Sequence, residues 1–328
     1  MGPRISALIG VYNGIPYLKR AIDSVLAQEY PAHEIIIVDD GSTDGTLELL
    51  ASYGGRIKVR RIAPSGSPAA PKNTAMTMAT GDYLAFLDHD DFWFRHKLRR
   101  QAELIRRYPE TGLVCCDFYV RYGYLGRRLV RHYDVLPFRQ LINFDEPLRR
   151  SPMETLLEGN FIGVPSAVVI KKSLADAAGP FDAGYRNSQD YDYWMRCAPL
   201  ASSFLVMSEP LLYKMNHPGN ISANPVRQWT FRRRILADTL TRERAYLDEH
   251  GLTGRARLAL AKADYFLGNL HFEAGDRREA FRLYARGLGS DPTPRNLALY
   301  LSASGRKLVR LASGDLISRK RWRKDGRS

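Results

Sequence analysis

Residues 83–93 read YLAFLDHDDFW, an apolar run that ends on Asp88, His89, Asp90 and Asp91. Three carboxylates within four positions repel one another and are costly to desolvate unless a cation lies among them. Two further apolar runs also stop on polar residues, ISALIGV at Tyr12-Asn13 and EIIIV at Asp39-Asp40. Mg²⁺ and Mn²⁺ prefer oxygen ligands, and Mg²⁺ typically takes one or two carboxylates plus substrate phosphates. A metal–diphosphate therefore suits these carboxylates better than an all-protein metal cage. The competing reading is a solvated turn that caps a helix in FWFRHKLRRQAELIRRY, and the spacing alone leaves both open.

The elements that must carry these residues follow from the pattern of apolar positions. ISALIGVY (5–12) and EIIIVDD (34–40) are strand candidates, apolar throughout as parallel strands covered on both faces are. Between them GIPYLKRAIDSVLAQ places Ile15, Leu18, Ile22, Val25 and Leu26 at helical spacing. GSTDGTLELLASY turns into a helix with Ser42 or Thr43 as the expected N-cap, RIKVRRIA is a third strand, and PKNTAMTMAT a short helix. This alternation predicts an α/β domain with a mainly parallel sheet, whose ligands gather where loops leave the carboxyl ends of the strands. Beyond residue 110 the expectation is extended structure with a turn near Gly123–Gly126, then a strand, a short helix and a Gly-Pro stop across FIGVPSAVVIKKSLADAAGPFD. SQDYDYWMRCAPLA becomes a helix, SSFLVMSEPLLYKMNHPGNIS makes two short strands, and helix follows from Val226 almost to the end.

Five of these stretches, in order over residues 5–222, resemble the inverting nucleotide-sugar glycosyltransferases of family 2. They are IGVYNGIPYLKRAIDSVLAQ, EIIIVDDGSTDGT, PKNTAMTMATGDYLAFLDHDD, SQDYDYWMR and YKMNHPGNIS. The resemblance implies a GT-A fold, Rossmann-like with a mainly parallel mixed sheet flanked by helices, over residues 1–225 and a helical region over 226–328. It implies that Tyr12, Asp39, Lys72, Asn73 and Asp88 bind the donor, a nucleoside-diphosphate-sugar and most simply a UDP-sugar. Asp90, with Asp88 and His217, would hold Mn²⁺ or Mg²⁺, Asp190 would be the general base, and Asp91, Gln189 and Trp194 would support the site. A sugar hydroxyl is a poor nucleophile, and a positioned base contributes ~10²–10⁴-fold, so a carboxylate remote from the metal set has work to do at Asp190. Asp190 opens a helix in this reading and would also serve as its N-cap. Three positions depart from the family pattern: Gly10 stands for Pro, Lys72 for Arg and Gln189 for Glu. Lysine keeps the charge and loses the planar fork.

The 328 residues, 45% hydrophobic and 26% charged, are ordinary globular material, and no run approaches the ~18 apolar residues of a spanning helix. MGPRISALIG is read as strand entry, because a signal peptide's long apolar core is missing. Cys115, Cys116 and Cys197 lack metal-ligand spacing and are expected buried and reduced, which suits the cytoplasm. Of the net charge of +14, half falls in the last 23 residues, nine Lys or Arg against Asp315 and Asp325. With its interleaved Leu, Val, Ile and Trp, the segment 297–328 suits a helix on an anionic membrane surface, peripheral on the inner membrane. The alternative is a helix docked on its own domain, with Arg232, Arg233, Arg234, Arg242 and Arg244 extending a basic face in the first case. Nucleic acid is not expected, since no recognised module accompanies the charge. FLGNLHFEAGDRREAFRLYARGLGSDP (266–292) resembles one tetratricopeptide unit where a stable array needs about three, so a packed hairpin is expected. The acceptor would be a glycan or lipid-linked glycan of the cell envelope. A sugar-1-phosphate nucleotidyltransferase would want a Gly-rich basic loop that GVYNGIPYL does not supply, and a silent scaffold would not need Asp88, Asp90 and Asp190.

Overall fold

The computed structural model describes residues 2–121, 128–217 and 224–291. β1 (Ile5–Val11) is followed by α1 (Ile15–Leu26), β2 (Glu34–Asp39), α2 (Thr46–Ala51), β3 (Lys58–Arg61), α3 (Ala69–Met78) and β4 (Tyr83–Asp88). Then come β5 (Phe92–Trp93), α4 (Lys97–Arg107), β6 (Leu113–Arg121), β7 (Leu129–Arg131), α5 (Pro152–Glu158), β8 (Val168–Lys171), α6 (Lys172–Ala178), α7 (Gln189–Cys197) and β9 (Phe204–Tyr213). Helices α8 (Pro225–Arg242), α9 (Arg244–Glu249), α10 (Thr253–Glu273) and α11 (Arg277–Ser290) complete the described chain.

Among the described residues one mixed sheet runs in the order β3-β2-β1-β4-β8-β6-β9-β5, with β7 on β6. From β1 the chain moves outward through β2 and β3, then crosses back to pair β4 with β1's other flank, all parallel. That reversal makes the carboxyl ends of β1 and β4 the crevice in which open α/β sheets bind ligands. β8 then runs antiparallel to both β4 and β6. The core lies where α1 and α4 cover the sheet: Leu18, Ile22, Val25, Leu98 and Ile105 pack on Ile9, Ile37, Leu87 and Val114, all buried.

Three local expectations are corrected. α2 starts after Gly45, in the left-handed region at φ 85°, without a side-chain cap. Ser42 and Thr43 turn instead to Asn13: Ser42 Oγ accepts from Asn13 N at 2.8 Å, and Thr43 N donates to Asn13 Oδ1 at 2.9 Å. The acidic run 88–91 does not cap α4, because β5 intervenes and His96 precedes the helix. Residues 204–213 form one strand, not two. Its register on β6 slips between Cys116 and Asp117, from Met207 to Pro210, so Ser208 and Glu209 bulge out.

Cys115, Cys116 and Cys197 are free and buried. Several α8 arginines have partners: Arg242 bonds Glu243 and the buried Asp192, Arg232 lies over Tyr191 and Trp229, and Arg234 pairs at the surface with Asp238. The chain divides into two compact units, Met1–Leu252 and Thr253–Ser328, so α8 and α9 fall in the first. In the second, α10 and α11 join through Gly275 at φ 91° and Asp276, whose carboxylate caps α11 by accepting from Glu279 N. Gly268 lets the Tyr284 ring approach to where a Cβ would be 2.5 Å away. No described helix is long and apolar enough to cross a membrane. The turn expected at 123–126, the end of YKMNHPGNIS and the basic segment 297–328 lie outside the described residues.

Candidate active site

The site begins at the paired ends of three strands. Gly10 of β1 stands opposite Asp88 of β4, and Val11 opposite Asp39 of β2. α3 presses onto Gly10 so closely that a Cβ there would lie 3.1 Å from Pro71. The next residue, Lys72, is thereby carried to Asp88, with Nζ 3.0 Å from Oδ1. Burial opposes the charge on Lys72, but Asp88, then Asp190 and Asp90, outweigh it and raise its pKa above the ordinary value. One cation thus sits among carboxylates drawn from two motifs about a hundred residues apart.

Behind it Asp91 is buried, accepting from Ser166 Oγ at 2.6 Å and from Met215 N at 3.0 Å. Burial, then the charges of Asp90 and Asp88, push its pKa well above the carboxylate range. Ser166 Oγ also accepts from Asp88 N at 3.0 Å, and Ser166 O accepts from Trp93 Nε1 at 2.9 Å. Asp90 faces His217, whose Nε2 is 3.0 Å from Oδ2 and whose ring stacks on Tyr17 at 4.7 Å.

Asp190 lies in the first turn of α7, after Ser188 in the left-handed region at φ 59°. A non-glycine residue held there stores backbone strain of a kind that clusters at functional sites. Burial raises the Asp190 pKa to about 6; Lys72 lowers it, the Asp88 charge raises it, and the helix's own first N–H groups lower it. The helix is fixed from behind: Asp192, buried, bonds Arg196 at 2.9 Å and Arg242 of α8 at 3.1 Å. Tyr191 Oη donates to Leu156 O at 2.7 Å.

The remaining expected residues divide. Tyr12 is 54% exposed at the crevice. Asp39 is buried beneath it, taking Ser42 N on both oxygens at 3.2 Å with Arg61 Nε at 3.5 Å. Asn73 spends its amide on the backbone of Phe181, at 2.9 and 2.8 Å. Trp194 is fully buried against Phe86 and Phe181, its Nε1 finding no hydrogen-bond partner among the described residues. Gln189 is buried at the helix start, and His96 pairs with Glu209 away from Asp90. Ser166 escaped the sequence reading; a serine inside the apolar run FIGVPSAVVI was the available signal.

Asp88, Asp90 and His217 are too few to enclose a metal, and among the described residues no three His, Cys, Asp or Glu are arranged to hold one alone. They fit a hard cation that brings phosphate oxygens with it. The raised pKa of Asp91, caused partly by its neighbours' charges, marks a locus where added positive charge would relieve repulsion.

A family model described as glycosyl transferase family 2 matches residues 6–176. An uncharacterized glycosyltransferase of Rickettsia typhi is 29% identical over 203 residues, 62% of this chain and 61% of the relative, so the match spans about three-fifths of that protein's length. A putative teichuronic acid biosynthesis glycosyltransferase of Bacillus subtilis is 28% identical over 225 residues, 68% of this chain and 82% of the relative. The crystal structure of S. aureus TarS residues 1–349 with UDP aligns at TM-score 0.57 and 19% identity, covering 87% of this chain and 92% of that one. A mannosyltransferase from Pyrobaculum calidifontis with GDP-Man and Mn²⁺ aligns at 0.54 and 18%, covering 94% and 87%. These likenesses share the fold, a GT-A-like curled mixed sheet flanked by helices. Since one family model takes in more than half of the residues, from β1 through Asp88 and its neighbours into α6, the chain belongs to glycosyl transferase family 2.

Proposed function

We propose that this protein is an inverting glycosyltransferase that moves a sugar from a nucleoside-diphosphate-sugar to a hydroxyl of a glycan or lipid-linked glycan. The single observation that supports the reading best is Lys72, which bonds Asp88 at 3.0 Å and whose charge is also sustained by Asp190 and Asp90. Asp190 lies beyond the residues the family model covers, so its role rests on this geometry. TarS in its complexes with UDP and UDP-GlcNAc, and the archaeal enzyme with GDP-Man, favour a nucleotide-sugar donor.

In this mechanism Tyr12 and Asp39 border the nucleoside end of the crevice. Asp90 and Asp88, with His217, would hold Mn²⁺ or Mg²⁺, which supplies positive charge to the departing diphosphate. Lys72 adds a second positive charge there. Asp190, ionised above about pH 6, takes the proton of the acceptor hydroxyl. The hydroxyl oxygen forms its bond to the anomeric carbon as the bond to the diphosphate oxygen breaks on the opposite face, inverting the centre. We read α10–α11 as the tetratricopeptide-like hairpin expected over 266–292, and α8–α11 as an accessory helical region.

The test is thermal stabilisation by UDP and by GDP, with Mn²⁺ and with EDTA, because a ligand that binds only the folded state raises its melting temperature. A Mn²⁺-dependent shift is expected, which Asp90→Ala weakens and Asp190→Asn retains while transfer is lost. A wild-type protein that no nucleoside diphosphate shifts in Mn²⁺ would overturn the reading.

A further inference from the structure

Between β7 and α5 the chain folds into two short 3-10 turns, Tyr133–Val135 and Arg139–Leu141, and leaves a groove of about 490 Å³ lined by Arg139, Gln140, Ile142 and Phe144. The Arg139 guanidinium lies 5.5 Å above the Phe144 ring. Among the described residues its one carboxylate contact, Asp134 at 3.9 Å, joins two side chains about half exposed, at 49% and 48%. Such a pair is worth little in water and exchanges readily for another anion. A guanidinium held over an aromatic ring can still offer N–H groups for planar, bidentate recognition of carboxylate or phosphate oxygens. Gln140 adds an amide that both donates and accepts, as sugar hydroxyls require.

The groove is linked to the base through neighbouring side chains. Phe138, which precedes Arg139, packs where a Cβ on Gly159 would be 2.5 Å from its ring. The same Cβ would be 3.3 Å from the Arg232 guanidinium, which lies over the rings of Trp229 and Tyr191 at 4.6 and 5.3 Å. Arg232 Nε is shielded from solvent and has no hydrogen-bond partner among the described residues. Tyr191 directly follows Asp190. Phe138 and Arg232 thus pack the segment that carries the groove against Tyr191 of α7, the helix whose first turn holds Asp190.

We propose that Arg139, Gln140 and Phe144 form a subsite for an acceptor glycan that carries anionic groups. The inference rests on the glycosyltransferase reading and adds the charge of the acceptor to it. A neutral sugar would leave the Arg139–Asp134 pair as it is, whereas a carboxylate or phosphate every residue or two would compete with Asp134 for the guanidinium. At a half-exposed guanidinium each such contact changes affinity by no more than about fivefold, so the discrimination grows with the number of anionic groups that reach the groove.

The experiment titrates the full chain with three probes: a uronic-acid oligosaccharide, a glycerol-phosphate oligomer and a neutral maltooligosaccharide. Phosphatidylglycerol vesicles serve as a non-glycan anion. The UDP or GDP shift with Mn²⁺ is measured in the same samples. At least one anionic oligomer is expected to bind about three- to fivefold tighter than the neutral one. Arg139→Gln and Phe144→Leu should each weaken it by a similar factor and leave the nucleotide shift unchanged; the two anionic arms separate carboxylate from phosphate. Arg139 is exposed, so its variant folds even if Phe144→Leu does not. Equal binding of the neutral probe, indifference to Arg139→Gln, or Arg139-dependent capture of vesicles without glycan binding overturns the subsite while an intact nucleotide shift keeps the enzyme. Loss of the nucleotide shift in the wild type removes both.

Discussion

Asp190 is the residue whose chemistry and stability pull in opposite directions. Its pKa in the folded chain, about 6, stands above the ordinary 3.8, mainly because burial disfavours the anion. Between those values the folded chain holds a proton that the unfolded chain has already released. The carboxyl's contribution to stability is therefore fully present below the lower value and is lost as pH rises through the upper one. Two units correspond to at most about 3 kcal/mol. Asp190→Asn should accordingly raise unliganded stability at pH 7.5 by roughly 1–3 kcal/mol while lowering transfer by ~10²–10⁴-fold. Denaturation midpoints at pH 4 and 7.5 check it, since the gain should shrink toward the lower pH; equal stability of variant and wild type at both would show that Asp190 is not held against its charge. Wild-type kcat/KM should rise with pH to a plateau above about 6, where the free enzyme's base is ionised.

The elements position that residue and its partners through contacts that sequence patterns reveal unevenly. β1, β2, β4 and α1 are legible because apolar runs and helical spacing report burial directly, and the positions of Asp88 at the end of β4 and Asp190 in the first turn of α7 follow from the same pattern. β9 was misjudged as two strands because SEP interrupts its apolar pattern. The sheet accommodates this by the bulge at Ser208 and Glu209, where Asp145 takes Ser208 N and Oγ at 3.1 and 2.6 Å and Arg131 bonds Ser208 O. Those partners come from a distant turn, so local pattern carries no trace of them. The same holds for the caps: Asp44 takes Ile15 N at 3.1 Å, closing α1 from another loop. Ser166 is the sharpest example, since it ties the end of β4 to the turn before β8 through Asp88 N and Asp91. Ser166→Ala should cost about 1–3 kcal/mol by stripping a partner from the buried Asp91 carboxyl. It should also reduce the Mn²⁺-dependent nucleotide shift, because Asp88 loses its backbone anchor. Ser166→Thr, which restores the hydroxyl, should recover the shift at least in part. A shift that survives Ser166→Ala intact would make the serine structural only.

At the scale of the whole molecule, every residue assigned to donor, metal or base lies in the unit Met1–Leu252, while half the net charge lies in the last 23 residues of the other. That separation predicts two independent properties in one chain. Positive charge of this density attracts an anionic lipid surface at ~1 kcal/mol per basic residue near it and is screened beyond a Debye length of ~10 Å at 0.1 M salt. A chain ending at Ser304 should keep the nucleotide shift and lose most binding to phosphatidylglycerol vesicles. The full chain's vesicle binding should fall steeply between low and physiological salt, and neutral vesicles should not bind at all. A glycan built on a lipid carrier is confined to that surface, so tethering the catalytic unit there raises its effective concentration at the acceptor without any new contact at the site. Truncation should then lower transfer to an acceptor embedded in vesicles far more than transfer to the same glycan in free solution. Equal losses with both acceptors would assign the tail to folding or catalysis, and unchanged vesicle binding would leave its charge without a membrane role.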